Sequence, residues 1–99
     1  MIPESWLKER LHTTDANELF ERELLSLGLS DSDMQELRTE GPSPRFAEAW
    51  RRFVGQMVPG DELWWFESPP ETWKGLAGSA GYALVRSGQI VAQLGSRRS

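Results

Sequence analysis

Residues 81–94 read GYALVRSGQIVAQL and predict a β-hairpin, because two apolar runs flank the two-residue loop Ser87-Gly88. A two-residue loop sets the pairing of the strands that it joins, and it places Arg86 opposite Gln89. If the ladder continues without interruption, each further pair follows from that first one.

Uninterrupted pairing gives the hairpin two unlike faces. One face is apolar throughout and has small residues in its middle, which suits a closely packed helix; its members are Gly81, Ala83, Val85, Ile90, Ala92 and Leu94. The opposite face is mixed, and its members are Tyr82, Leu84, Arg86, Gln89, Val91 and Gln93. We therefore expect the first face to meet the helices.

A third strand is predicted over residues 61–67, at the start of the stretch DELWWFESPP. Successive strand side chains point to opposite faces, so Leu63 and Trp65 share one face while Trp64 and Phe66 share the other. Whichever face meets the helices, the opposite one gains at least one tryptophan. The sequence thus predicts a second apolar surface on the sheet.

Three explanations of that second surface stay open. The chain covers the surface itself, either with the 68–80 connection that carries Trp73 and Leu76 or with an N-terminal helix that carries Trp6 and Leu7. Alternatively, the surface is open to a partner or a second copy, because sizeable exposed apolar patches usually mark interaction sites. In the third, the strand contains a bulge and the alternation fails.

Four helices are predicted before the first strand. The first spans about 4–11, the second follows Asp15 and ends before Gly28, and the third begins after Ser30. The fourth begins at Ser43-Pro44, and its apolar residues recur at helical spacing: Phe46, Trp50, Phe53, Val54 and Met57. We expect this fourth helix on the first face of the hairpin, with the second helix beside it.

Helices followed by strands indicate an α+β fold, with about four N-terminal helices packed on a C-terminal three-stranded antiparallel β-meander. The 99 residues are expected to form a single domain, residues 1–99. Its helical part spans 1–58, and its β-meander spans 61–95 with a short helical insertion at 69–76.

Composition excludes several classes of function. The chain has no cysteine, which excludes disulfides, thiol catalysis and cysteine-based metal sites. It shows no secretory signal pattern, and no apolar run approaches the roughly 20 residues that cross a bilayer. We therefore expect a cytoplasmic protein without a membrane partner.

The net charge of −4 is unevenly distributed. Residues 1–40 hold ten acids and four bases, a net of −6, whereas residues 41–99 hold five acids and seven bases, a net of +2. Nucleic-acid affinity depends mainly on neutralising phosphates, so the acidic half argues against a nucleic-acid partner.

Residues with catalytic potential lack a recognisable arrangement. The one histidine, His12, has no nucleophile or metal ligand at a familiar spacing. The glycines of KGLAGSAGY, residues 74–82, match neither the dinucleotide nor the phosphate-loop spacing. We therefore expect no enzyme, no cofactor and no metal, and keep an enzyme that uses His12, or Glu62 with Arg86, as the last alternative.

The C-terminal segment resembles a group of small bacterial proteins with the pattern DELW…SPP…W…LAG…GYALVR. The shared pieces are Asp61-Glu62-Leu63-Trp64, Ser68-Pro69-Pro70, Trp73 and Gly81-Tyr82-Ala83-Leu84-Val85-Arg86. The resemblance covers about the last 40 residues. It implies a bacterial origin and no mechanism, because no activity is known for that group.

The preferred interpretation is a tryptophan-rich, non-enzymatic protein-interaction domain that binds an unidentified protein or a second copy of itself as a homodimer. Tryptophan and tyrosine are frequent binding hot spots, and the predicted contact residues are Trp64, Tyr82, Leu84, Arg86 and Val91. The alternative is a small-ligand-binding domain whose pocket is lined by Trp64, Trp65 and Trp73.

Overall fold

An antiparallel sheet carries the core in the computed structural model, which describes residues 2–26 and 28–98. Its strands follow one another in space as in sequence: β1 (Leu7–Leu11), β2 (Glu62–Glu67), β3 (Ser79–Arg86) and β4 (Gln89–Arg98). The helices are α1 (Ala16–Ser26), α2 (Asp31–Glu40), α3 (Pro44–Val54) and α4 (Pro70–Lys74). The α+β class is confirmed, although the sheet has four strands where three were predicted.

The helix predicted over 4–11 is wrong. A single 3₁₀ turn, Glu4–Trp6, leads directly into β1, where Leu11 pairs with Leu63 of β2. A helix this short is marginal because nucleation is costly. The open edge of β2 offers the same backbone a row of hydrogen-bond partners, so pairing with a distant strand overrides the local apolar spacing.

The three longer helices begin where the sequence predicted. An oxygen of Asp15 accepts from the amide two residues further on at 2.8 Å. Ser30 Oγ accepts from the Asp33 amide at 3.3 Å, and Ser43 Oγ accepts from the Phe46 amide at 3.1 Å. Each cap satisfies a backbone donor that the first helical turn leaves without a partner.

The turn of the β3–β4 hairpin is confirmed. Ser87 and Gly88 both have positive φ angles, +52° and +77°, the pattern of the two-residue turn that matches strand twist. Arg86 lies opposite Gln89, as the loop length predicts.

A β-bulge in β4 then breaks the expected ladder. Val85 pairs with Ile90, but Leu84 pairs with Ala92, so Val91 is an extra residue without a partner in β3. The pairs from Leu84–Ala92 to Gly81–Gly95 are shifted by one residue relative to uninterrupted pairing, and a second bulge shifts the last two pairs by two.

The bulge reverses which face of β3 meets the helices, whereas Ala92 and Leu94 of β4 face them as predicted. Leu84 pairs with Ala92 and Tyr82 pairs with Leu94, so these four residues share one face, while Val85 and Ile90 pair on the opposite face. The helix-side core consists of Leu11, Leu19, Trp50, Phe53, Leu63, Tyr82 and Leu84, with Ala92 and Leu94 packed against it. The prediction that Gly81, Ala83 and Val85 face the helices is wrong. Without the extra residue, Gln93 would lie opposite Tyr82 inside the core.

The opposite face of the sheet carries Trp64, Phe66 and Ala83, and the chain covers part of it. The Ile2 amide donates to Gln93 Oε1 in β4 at 2.9 Å, whereas β1 lies at the other edge. Three strand spacings of about 4.8 Å separate those edges, so residues 2–6 cross this face. Phe66 is accordingly only 1% exposed although it lies outside the helix-side core.

That arrangement agrees with the explanation in which the N-terminal segment covers the second face. The segment does so as an extended stretch with one 3₁₀ turn rather than as the predicted helix. Leu76, offered as part of the alternative cover, is 78% exposed.

Gly81 provides a test of the second bulge in β4, where Ser96 is the extra residue between the pairs Gly81–Gly95 and Ala80–Arg97. A Cβ at Gly81 would lie 2.2 Å from the carbonyl oxygen of Leu94, so Gly81→Ala forces β3 and β4 apart. We expect a loss of about 3 kcal/mol in the free energy of unfolding, measured by urea denaturation.

Gly75→Ala is the matched control. Its Cβ would meet no atom closer than 3.5 Å, and its φ of −84° suits alanine. Equal losses in the two variants would contradict the close approach of β4 to Gly81.

Candidate ligand-binding cleft

The five predicted contact residues do not form one exposed face. Tyr82 and Leu84 are 2% and 0% exposed and belong to the helix-side core. Trp64 pairs with Ala83 and therefore lies on the opposite face, while Val91 sits exposed in the bulge. The expectation of a shared exposed surface is wrong because the face of β3 that carries Tyr82 and Leu84 packs against the helices, whereas Trp64 lies on the other face.

Arg86, the remaining contact residue, makes a bidentate ion pair with Asp61 just before β2. The two hydrogen bonds measure 2.8 and 2.9 Å, and the Asp61 side chain is only 1% exposed. The amide of Val58 also donates to Asp61, at 3.0 Å. This arrangement ties the loop after α3 to the β3–β4 hairpin.

The three tryptophans of the predicted pocket are separated as well. Trp73 Nε1 donates to the Ser68 carbonyl oxygen at 3.2 Å, and its ring packs on Gly78. Trp64 lies on the sheet face opposite to Trp65. Of the three, only Trp65 lines the cleft between α1 and the sheet.

That cleft has a volume of about 630 Å³, inside the range of roughly 300–1,000 Å³ typical of ligand pockets. Its apolar lining consists of Leu11, Leu19, Trp65 and Tyr82. Its charged lining consists of Lys8, Glu9, Arg22, Glu23 and Glu67. An aromatic floor with a few charged groups around it suits the binding of a small molecule.

Sheet pairing and helix spacing bring these residues together. Glu9 pairs with Trp65, which pairs with Tyr82, so the three form one row across the helix-side face. On α1, Arg22 and Glu23 follow Leu19 by three and four residues, which places all three on one side of the helix.

Polar contacts join α1 to the sheet on both sides of the cleft. Tyr82 Oη donates to Glu23 Oε1 at 2.6 Å, and Ser96 Oγ donates to the same oxygen at 2.9 Å. Arg22 forms an ion pair with Glu9 of β1. The walls are therefore connected to the strands by charged hydrogen bonds, which are stronger than neutral ones.

The floor of the cleft is held in place by its own contacts. The Trp65 and Tyr82 rings meet edge to face, with centroids 5.2 Å apart, and Tyr82 meets Trp50 in the same way at 4.8 Å. Trp65 Nε1 donates to Glu67 Oε1 at 3.0 Å. The rings therefore have defined positions, which reduces the ordering cost of binding.

Sequence reasoning found Trp65 and Tyr82 but missed the charged residues around them. One signal was available: Glu23 lies four residues after Leu19, on the side of α1 that the apolar pattern assigned to the core. Glu9 had no such signal, because its segment was predicted to be a helix.

The residues weighed for catalysis lie elsewhere. His12 is exposed just after β1, and Glu62 accepts a hydrogen bond from Trp64 Nε1 at 2.9 Å. Within the described ranges, no group of three or more His, Asp or Glu side chains is placed to hold a metal ion.

No helix in the described part of the chain has the length and apolar character that crossing a membrane requires. Comparison of the chain with protein-family models, curated proteins and solved structures found no match. The resemblance of the C-terminal segment to small bacterial proteins stays a prediction.

Acid should weaken the Asp61–Arg86 ion pair. The Arg86 guanidinium, with help from the Val58 amide, lowers the pKa of Asp61 from 3.8 to about 2. A carboxyl group whose pKa is lowered by folding stabilises the fold at pH values above its ordinary pKa. That contribution disappears as the pH falls from about 4 to about 2.

Urea denaturation at a series of pH values should show this effect. The stability difference between the wild type and Asp61→Asn should shrink over that acid range. A stability difference that stays constant down to pH 2 would contradict the lowered pKa of Asp61.

The Tyr82–Glu23 hydrogen bond should contribute measurably to stability. Tyr82→Phe removes the hydroxyl donor and should lower the free energy of unfolding by about 2 kcal/mol, because the acceptor is charged. In a Glu23→Gln background the same substitution should cost less. Strictly additive effects in this double-mutant cycle would show that the two side chains do not interact.

Proposed function

We propose that this protein is a non-enzymatic binding domain whose ligand site is the cleft between α1 and β1–β2. The observation that carries the proposal is the half-buried Trp65 ring, which the buried Tyr82 ring holds edge to face inside a cleft of about 630 Å³. A fixed aromatic surface in a concave site favours a small molecule with a flat or bulky apolar group.

Binding is favoured over catalysis by how the cleft carboxylates are used. Glu9 is paired with Arg22, Glu23 accepts from Tyr82, and Glu67 accepts from Trp65. Each carboxylate thus helps to hold a wall or the floor in position, a role that shapes a site rather than transfers a proton.

The proposal is tested by following the indole N–H signals of the five tryptophans in a ¹H–¹⁵N spectrum during titration with indole, a neutral flat probe. The Trp65 signal should shift and saturate, whereas that of Trp73 should stay in place. Trp65→Leu, which keeps an apolar side chain on the floor, should weaken binding about tenfold. Trp73→Leu is the matched control and should not.

A saturable shift at Trp64 or Trp73 without one at Trp65 would overturn the proposal. So would the absence of any saturable shift up to the solubility limit of indole. The wild-type titration gives this answer even if a variant fails to fold.

Association with a protein partner or a second copy is the other candidate function, and Leu76 favours it. This leucine is 78% exposed and has a φ of +59° at the end of α4. Only glycine adopts that conformation without a steric cost. The exposed leucine at this position therefore lowers the stability of the monomer. Under this candidate, Leu76→Gly stabilises the monomer but abolishes its association, as measured by sedimentation.

A further inference from the structure

Lys8 and Glu67 differ from the other charged side chains of the cleft in their ion pairing. Arg22 and Glu9 pair with each other, and Glu23 accepts the Tyr82 hydroxyl. By contrast, neither Lys8 nor Glu67 forms an ion pair with any side chain that the structure describes. The cleft therefore holds one positive and one negative group whose charge its described neighbours do not neutralise.

These two groups lie at the same end of the cleft. Lys8 is the extra residue of a bulge in β1, between the pairs Leu7–Phe66 and Glu9–Trp65. Glu67 follows Phe66 on the neighbouring strand, about 4.8 Å away in the pairing direction. An ammonium and a carboxylate thus flank the aromatic floor from adjacent strands.

Glu67 retains capacity to bind a ligand. Its contact with Trp65 uses a single hydrogen bond on Oε1. An ionised carboxylate has about four acceptor positions, so most of them can take further donors. Lys8 is exposed at the rim and carries three donors on a flexible stem.

We propose that the ligand is a dipolar compound that carries an ammonium and a carboxylate beside an apolar group, the chemistry of a free apolar α-amino acid. The ligand ammonium donates to Glu67, the ligand carboxylate accepts from Lys8, and the apolar group rests on the half-buried Trp65 ring, which the buried Tyr82 ring contacts edge to face. This inference rests on the proposed function, since it names the ligand of the same cleft.

Charge matching favours a dipolar ligand over a singly charged one. A cation would satisfy Glu67 but approach Lys8, and an anion would do the reverse. Like charges brought together in a partly desolvated site oppose binding and favour the ligand that matches both.

Three probes that share a phenyl ring and differ in charge test the inference by isothermal titration calorimetry on the full chain. They are L-phenylalanine, phenethylamine without the carboxylate, and 3-phenylpropionate without the ammonium. L-phenylalanine should bind about tenfold more tightly than either of the others, which corresponds to about 1.4 kcal/mol.

Charge-removing variants assign each end of the ligand. Glu67→Gln keeps an acceptor for Trp65 Nε1 and should weaken L-phenylalanine and phenethylamine about tenfold, whereas 3-phenylpropionate should bind no more weakly because a like charge is removed. Lys8→Gln should weaken the two carboxylate-bearing probes and spare phenethylamine. Arg45→Gln, at an exposed position of α3, is the control and should alter none of the three affinities.

The outcomes separate this inference from the proposed function. If indole titrates the Trp65 signal but L-phenylalanine binds no more tightly than the singly charged probes, the dipolar assignment is wrong and the cleft remains a binding site. If Glu67→Gln and Lys8→Gln leave the order of affinities unchanged, the assignment of the two ends is wrong. If neither indole nor any phenyl probe binds, the proposed function itself fails.

Discussion

One extra residue in β4 determines how the rest of the molecule is arranged. Because Val91 has no partner in β3, the pairs beyond it are shifted, and Leu84 and Tyr82 share a face with Ala92 and Leu94. A strand that lacked this residue would present Gln93 to the helices. The helix-side core, and therefore the position of α1 and α3 over the sheet, depends on that local departure from regular pairing.

Tyr82 connects the core to the cleft. Its ring lies between Trp50 of α3 and Trp65 of β2, and its hydroxyl reaches Glu23 of α1. A buried tyrosine needs a partner for its hydroxyl, and here that partner belongs to the helix that forms one wall. Packing of the core and the shape of the cleft are consequently linked through a single side chain.

The N-terminal segment serves both faces of the sheet. Residues 2–6 cross the face that bears Phe66, while β1 adds the strand that supplies Glu9 and Lys8 to the cleft on the other face. Local sequence did not determine this stretch, which forms one 3₁₀ turn and five strand residues in place of the helix that its apolar spacing predicted. Its structure comes from the edge of β2, which lies more than fifty residues away in the chain.

The sequence by itself determined the features that depend on local physical chemistry. Caps such as Ser30 and Ser43, the Ser87-Gly88 turn and the alternation in β2 follow from residues close together in the chain. Only the tertiary structure decided the fourth strand, the bulge at Val91 and the grouping of Glu9, Glu23 and Glu67 around Trp65. The physical reason is that each of these requires a distant partner: an open strand edge, a core that selects one face, or a helix packed across the sheet.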